Sequence, residues 1–232
     1  MSNKAQLSNQ RLDTIINSIS RTEDKLCFRV ISKLKEQLKS DFNVNLQWEK
    51  KVLLGDVISI LKNAFPEVSF ADVRPSSFMS PDGGITYIVD KSGNRYPLLI
   101  VEVKNQGTND SRAIAGLKPQ SRGNAIERLG KNVIGFKTYM LTENIFPFVC
   151  FGDGCDFDEG SSILDRVITI AMFGELNVDH TTNVGPNGIF NRGSYYFRKD
   201  RWTFDEMYAI LYSIAKRAIY YYFSKYGEEQ FK

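Results

Sequence analysis

An apolar strand that ends in charged residues is the feature that most restricts how this chain can fold. Residues 96–104 contain the apolar run Leu98–Val101, followed directly by Glu102, Val103 and Lys104. A continuous apolar run bounded by turn residues is typical of a strand covered on both faces. Because residues two apart in a strand project from the same face, Glu102 and Lys104 point together. Unpaired charges are costly beside a buried run, so this pair calls for an explanation.

A third charged residue precedes the neighbouring strand. Residues 85–90 read as a strand and residues 91–94 as a turn, so the two strands form a β-hairpin. Asp82 lies in the sequence Pro-Asp-Gly-Gly, directly before the first strand. The hairpin is therefore expected to bring the Asp82 carboxylate beside Glu102.

These residue types suit a metal-dependent hydrolysis. Two carboxylates and a backbone carbonyl form an all-oxygen ligand set of the kind that Mg²⁺ prefers. Such an ion can polarise a phosphodiester and lower the pKa of a bound water, while Lys104 orients that water or stabilises charge on phosphorus. An ion pair at the edge of a strand is the alternative. Two further Glu-x-Lys triplets, at 23–25 and 49–51, lie in stretches that we predict as helical.

Helices are predicted on both sides of the hairpin. Four stretches show the apolar spacing of a helix: residues 26–38, 47–64, 124–141 and 203–226. The first would begin at Thr22, and the last at a capping box formed by Thr203 and Glu206. Further strands are expected at 146–151 and 166–171, with an irregular loop over 178–201. This order favours an α/β helix–sheet–helix sandwich.

The composition limits which residue types can be catalytic and indicates the cellular compartment. A chain of 232 residues that is 42% hydrophobic can build one sizeable core, so we expect a single domain with an N-terminal helical part over 1–66. His180 is the only histidine and lies in a polar stretch, so carboxylates, lysine and metal must carry any chemistry. Three cysteines without zinc spacing, and no apolar run near the roughly 20 residues that span a bilayer, predict a reduced cytoplasmic protein away from the membrane.

A second motif occupies residues 121–128, Ser-Arg-Gly-Asn-Ala-Ile-Glu-Arg. Asn124 is a favourable helix N-cap, and Glu127, three residues on, completes a capping pattern. A helix N-terminus also favours phosphate. Asparagine can pair with the N6/N7 edge of adenine, and arginine with base or phosphate acceptors. Asn124 and Arg128 are four apart, so they share a helix face and can enter one DNA groove.

In combination, these motifs resemble the EcoRI family of type II restriction endonucleases, within the PD-(D/E)xK nuclease superfamily. The likeness follows the same order along the chain: 81–84, 102–104 with 106–107, 123–128, 146–151 and 164–166. It covers about residues 80–174, which would form the catalytic and recognition core. It is faint over the N-terminal helices and absent from about the last fifty residues.

The resemblance implies a restriction-endonuclease-like fold with a central mixed β-sheet, acting as a homodimer on double-stranded DNA. Mg²⁺, for which Mn²⁺ can substitute, would be held by Asp82, Glu102 and the Val103 carbonyl. Lys104 would assist the attacking water. Cleavage would fall at a palindrome centred on AATT and leave 5′-phosphate ends with a four-base 5′ overhang. A companion DNA methyltransferase would protect the same site in a prokaryotic host.

The resemblance also implies which residues contact DNA. They would be Arg122, Gly123, Asn124, Ala125, Arg128 and Arg166. Asn124, Ala125 and Arg128 would read the central AATT from the major groove, and Glu127 would hold the recognition arginines in place. Arg166 would contact a base or a phosphate.

The sequence departs from EcoRI at two positions. Ile163 stands where EcoRI has an arginine, three residues before Arg166. Arg122 stands where EcoRI has a small residue, whereas a relative that cuts CAATTG has an arginine there. We therefore hypothesise that Arg122 reads a flanking C·G pair, giving CAATTG, with GAATTC and bare AATT as the other options.

Three other functions fit parts of the pattern. A repair or recombination nuclease of the same fold would use Asp82, Glu102 and Lys104 but has no need of the 121–128 motif as a base reader. A non-catalytic DNA-binding protein with a degenerate core would not need all three charged residues. An RNA- or protein-interaction module would use the aromatic residues 220–223, which we instead expect to form core and dimer contacts.

Overall fold

The computed structural model describes residues 25–105, 109, 114, 116 and 124–232. Its centre is a five-stranded mixed sheet in the order β1-β4-β5-β6-β7. The strands are β1 (Asn45–Glu49), β4 (Gly84–Val89), β5 (Arg95–Asn105), β6 (Phe148–Asp153) and β7 (Ser194–Arg198), while β2 (Val52–Leu53) and β3 (Phe78–Met79) form a separate two-stranded sheet. The pairs β1–β4 and β4–β5 are antiparallel, and β5–β6 and β6–β7 are parallel.

Helices cover both faces of this sheet. They are α1 (25–42), α2 (Leu54–Ala64), α3 (Asn124–Tyr139), α4 (Ser162–Ile170), α5 (Gly185–Phe190) and α6 (Phe204–Tyr226). On one face α1 packs against α6, where Tyr212 donates to Asp41 at 2.7 Å. On the other face α3 lies between α2 and α4. The predicted helix–sheet–helix sandwich with a mixed sheet is therefore confirmed.

The hairpin and the long helices follow the predicted pattern. β4 and β5 pair across the turn at residues 91–94, and Leu98–Val101 are buried in β5. The capping box of α6 is present, with Thr203 accepting from the Glu206 backbone. Tyr222 is buried in α6 and donates to the Pro97 carbonyl at 2.9 Å. The predicted first helix is confirmed from residue 25 onward, while Thr22 lies outside the described residues.

Three predictions of secondary structure are wrong. The predicted helix 47–64 is helical only over Leu54–Ala64, because its first part alternates in burial and pairs with β4 at the sheet edge. The predicted strand 166–171 is wrong because residues 166–170 belong to α4 and Ala171 is its C-cap. The Ser161 cap and buried side chains four residues apart outweigh the β-branched composition. The predicted loop 178–201 contains two regular elements, α5 and β7. The aromatic residues of β7 are buried, and this strand pairs with β6.

In the part of the chain that the structure describes, no helix is both long and apolar enough to cross a bilayer.

Candidate active site

The turn that carries Asp82 is fixed from three sides. Gly84 N donates to Pro81 O at 3.0 Å, Gly83 N donates to Val101 O at 2.8 Å, and the Trp48 indole donates to Gly83 O at 2.9 Å. Gly84 has a φ of 75°, and a Cβ there would lie 2.6 Å from the Trp48 ring. Both the positive φ and the close approach require glycine. The turn therefore holds Asp82 in a fixed place above β5.

The three charged residues meet at one point. The Lys104 ammonium donates to Asp82 Oδ2 at 2.9 Å, to Glu102 Oε1, and to the Val103 carbonyl at 3.2 Å. Asp82 is tied in further, because its backbone N donates to Glu102 Oε2 at 3.2 Å and its carboxylate accepts from Val103 N at 3.3 Å. The juxtaposition expected from the hairpin is present.

Burial governs the electrostatics of this cluster. The side chain of Glu102 is 1% exposed, and burial raises its pKa; Lys104 opposes that rise and Asp82 adds to it. Burial also disfavours the charge on Lys104, but attraction to Glu102 and Asp82 outweighs it and raises the lysine's pKa. Glu102 is thus a buried carboxylate that depends on a neighbouring cation.

The ligand set fits a small divalent cation. Oxygens of Asp82, Glu102 and Val103 all reach the same positively charged nitrogen, which shows that they can converge on one cation. All three are oxygens, as Mg²⁺ prefers. Among the described residues, no group of three or more His, Cys, Asp or Glu side chains is placed to hold a metal. The oxygens that meet at this site come from two carboxylates and one backbone carbonyl.

Sequence reasoning missed one residue of the site. Asn132, half-buried on α3, donates from Nδ2 to Glu102 Oε1 at 3.1 Å. It follows Arg128 by four residues, as Arg128 follows Asn124, so the three form one stripe along α3. That spacing was the available signal. The stripe leads from the motif at 121–128 to the buried carboxylate.

Two of the remaining candidate residues, Glu127 and Arg166, line an open groove between α3 and α4. The groove has a volume of about 400 Å³ and is lined by Ile126, Glu127, Gly130, Arg166, Thr169 and Ile170. Glu127, Arg128 and Arg166 are exposed. Because Arg166 lies on a helix and not on a strand, it lines this groove together with Glu127. Ile163 is 1% exposed and packs in the core.

Several predicted contacts concern residues that the structure does not place. Arg122 and Gly123 lie outside the described residues, as do residues 106–107. Asn124 and Ala125 belong to α3 by their backbone, and nothing is described of their side chains. The base-reading roles of these residues therefore stay predictions from the sequence.

Comparison with known proteins identifies what the chain is similar to. The sequence model of the family described as Restriction endonuclease EcoRI matches residues 9–163. The type II restriction enzyme RsrI of Cereibacter sphaeroides is 28% identical over 240 aligned positions, covering 89% of this chain and 87% of that enzyme. The type II restriction enzyme EcoRI of Escherichia coli is 27% identical over 174 positions, covering 68% of this chain and 63% of that enzyme.

Proposed function

Because the chain belongs to the EcoRI family and is a type II restriction endonuclease, we propose that it hydrolyses duplex DNA in the presence of Mg²⁺ at a palindrome centred on AATT. The observation that carries the metal dependence is the convergence of Asp82, Glu102 and Val103 oxygens on a single cation. The observation that favours base reading is the position of Arg128 on α3, four residues before Asn132, which contacts this cluster.

Each residue of the cluster has a role that needs its chemical type. Asp82, Glu102 and the Val103 carbonyl would hold Mg²⁺, or Mn²⁺ in its place. When bound, the ion would supply a Lewis acid that polarises the phosphodiester. Lys104 would orient the attacking water and stabilise charge on the phosphate oxygens. The bond from phosphorus to the 3′ oxygen would break, leaving a 5′ phosphate and a 5′ overhang.

The recognition residues are proposed from the family resemblance, and the position of α3 supports them. Asn124, Ala125 and Arg128 would read AATT from the major groove, because they occupy the first two turns of the helix whose later part reaches Glu102. Glu127 would hold recognition arginines, and Arg166 lines the same groove of the protein as Glu127, between α3 and α4. Arg122 would read the flanking pair, which favours CAATTG over GAATTC and bare AATT.

The assembly and setting are proposed from the resemblance to the EcoRI family. A palindrome presents the same bases to two copies related by a two-fold axis, so we propose a homodimer with one cluster for each strand. The enzyme would act on DNA in the cytoplasm of a prokaryotic cell. A companion methyltransferase would modify the same site without forming a stable complex.

Asn132→Ala is expected to lower cleavage by about 10–100-fold, or to raise the Mg²⁺ concentration needed by a similar factor. Asn132 orients a proposed metal ligand, and loss of such support typically has that effect. The measurement is the single-turnover cleavage rate as a function of Mg²⁺ concentration. Asn45→Ala, at the exposed edge of the sheet, is the matched control and is expected to leave both quantities unchanged. A wild-type Mg²⁺ dependence and rate for Asn132→Ala would remove its positioning role.

The proposed function is tested by digestion of a long duplex of known sequence, with Mg²⁺ and with EDTA, followed by end sequencing. We expect discrete fragments with a 5′-AATT overhang in Mg²⁺ and no cleavage in EDTA. The bases flanking each cut decide between CAATTG, GAATTC and AATT, and equal cutting of all flanks would contradict the role of Arg122. A smear, or cutting confined to branched DNA, would contradict the AATT proposal and favour a repair or recombination nuclease.

A further inference from the structure

A basic groove adjoins the active site on the side away from α3. It is open, has a volume of about 540 Å³, and is lined by Lys25, Phe28, Arg29, Trp48, Lys50, Ser80, Pro81 and Asp82. Lys25 and Arg29 lie on α1, and Lys50 lies in the turn between β1 and β2. Asp82 marks the end of the groove that meets the proposed metal site.

The positive charge of this groove is directed to solvent. Lys25, Arg29 and Lys50 are exposed, and none of them forms an ion pair with an acidic residue in the described part of the chain. The Arg29 guanidinium lies 5.9 Å from the centre of the Phe204 ring, a contact that adds no negative charge. Three cations face one concavity, which makes it attractive to a polyanion.

The walls of the groove form hydrogen bonds with the turn that carries Asp82. Trp48 forms part of its wall and also donates to Gly83 O, one residue from Asp82. Phe28 packs edge-on against Trp48, with ring centres 5.7 Å apart. A further bond joins the Ser80 hydroxyl to the Lys50 carbonyl at 2.9 Å. A ligand held by the groove is therefore positioned relative to Asp82.

The basic groove and α3 lie on opposite faces of the sheet, with Asp82 between them. Gly83 lies close to Cys27 of α1 and to Val101. Val101 and Glu102 are adjacent in β5 and so point to opposite faces, and Glu102 faces α3. DNA that is read by α3 and cut at Asp82 would continue past the cut into the basic groove.

We propose that the basic groove binds backbone phosphates of the DNA that flanks the palindrome, through Lys25, Arg29 and Lys50. This inference rests on the proposed function for the orientation of the duplex, and it adds a site for DNA outside the recognition sequence. Contacts to phosphate carry no sequence information, and they fix the register of a protein on its duplex. The groove would thus set the scissile phosphate against the catalytic cluster.

The test is the salt dependence of DNA binding in EDTA, where no cleavage occurs. The variant is the triple substitution Lys25→Gln, Arg29→Gln and Lys50→Gln. Each lost phosphate contact reduces the slope of log K against log salt by about 0.9, so the slope is expected to become shallower by roughly 2–3 per protomer. Binding is measured on a long duplex with flanks and on a short duplex that ends at the scissile phosphates. Wild type and variant are expected to differ only on the long duplex.

A matched control removes the same charge elsewhere. Lys39, Lys91 and Lys216 are exposed and lie outside the groove, so their triple change to glutamine is expected to keep the wild-type slope. A second variant, Lys25→Arg, Arg29→Lys and Lys50→Arg, keeps the charge and is also expected to keep the slope. An unchanged slope in the neutral groove variant, an equal loss in the control, or an equal loss on the short duplex would overturn the proposal.

The same measurement separates this inference from the proposed function. Phosphate contacts act on any sequence, so the slope is also measured on a long duplex without AATT. A groove-dependent slope on both duplexes, together with failure to cut AATT sites, would remove the proposed specificity and leave the groove. Cleavage at AATT sites with no groove-dependent slope would keep the proposed specificity and remove the role of the basic groove.

Discussion

Glu102→Gln is expected to abolish cleavage while leaving specific DNA binding intact. The change removes one of two carboxylates that meet the Lys104 ammonium, but glutamine keeps the side-chain size and an oxygen that can accept from Asn132. The lost stabilisation of the transition state is worth several kcal/mol, which corresponds to a fall in rate of roughly 10³-fold or more. The measurements are single-turnover cleavage in Mg²⁺ and binding to an AATT duplex in EDTA.

The control for this variant is Glu36→Gln, an exposed residue of α1 that pairs with Lys33. It is expected to keep the wild-type rate, which separates loss of the buried carboxylate from loss of any negative charge. Normal turnover in Glu102→Gln would mean that another carboxylate carries the chemistry. Loss of binding together with cleavage would instead indicate that Glu102 is required for the fold of the site.

Asn124→Ala is expected to lose discrimination at adenine by about 1–3 kcal/mol for each contacted base. In a homodimer both half-sites lose the contact, so the total penalty reaches roughly 2–6 kcal/mol on a symmetric site. The measurement compares affinity for an AATT duplex with affinity for duplexes that carry one changed base pair. Non-specific binding is expected to stay at the wild-type level.

A cap variant separates base reading from helix stability at this position. Asn124 begins α3, and its residue type predicts a cap there, so alanine would also remove a contribution that is typically worth about 1 kcal/mol. Asn124→Ser restores capping but lacks the amide that pairs with the edge of adenine. We expect Asn124→Ser to regain thermal stability and not specificity. Unchanged specificity in both variants would leave Asn124 with a capping role alone.

Local patterns predicted most of the elements that build the site. The apolar run before Glu102, the turn at 91–94 and the Pro-Asp-Gly-Gly sequence together predict a hairpin and the approach of Asp82. The helices α3 and α6 have a clear apolar period, and their starts agree with the prediction. In each case the decisive interactions are close in sequence or set by strand alternation.

The wrong predictions concern segments whose structure depends on distant partners. The residues of β1 form a strand because β4 lies beside them, and β7 forms because its buried aromatic residues pair with β6. Gly and Asn around β7 predicted a loop on composition alone. The β-branched residues of α4 predicted a strand, but a cap at Ser161 and burial of Ile163 and Val167 favour a helix.

The functional residues that the sequence did not predict also depend on contacts between distant segments. Asn132 meets Glu102 across thirty positions of sequence. Its spacing from Arg128 predicts a shared face of α3, but not that this face meets Glu102. The basic groove joins α1, the turn after β1 and the turn at Asp82, which are far apart along the chain. Such groupings depend on how the helices pack on the sheet, and a single sequence does not encode them in any short motif.

The position of Lys104 has a consequence for how the enzyme is made and stored. Its ammonium already neutralises the buried carboxylate of Glu102 and the nearby Asp82, so the cluster carries its own counter-ion. Small metal-binding domains whose ligands lack such a partner unfold when the metal is withdrawn. We therefore expect the chain to fold before it binds a divalent ion. Under the proposed metal dependence, a chelator would silence the nuclease reversibly and leave the protein folded.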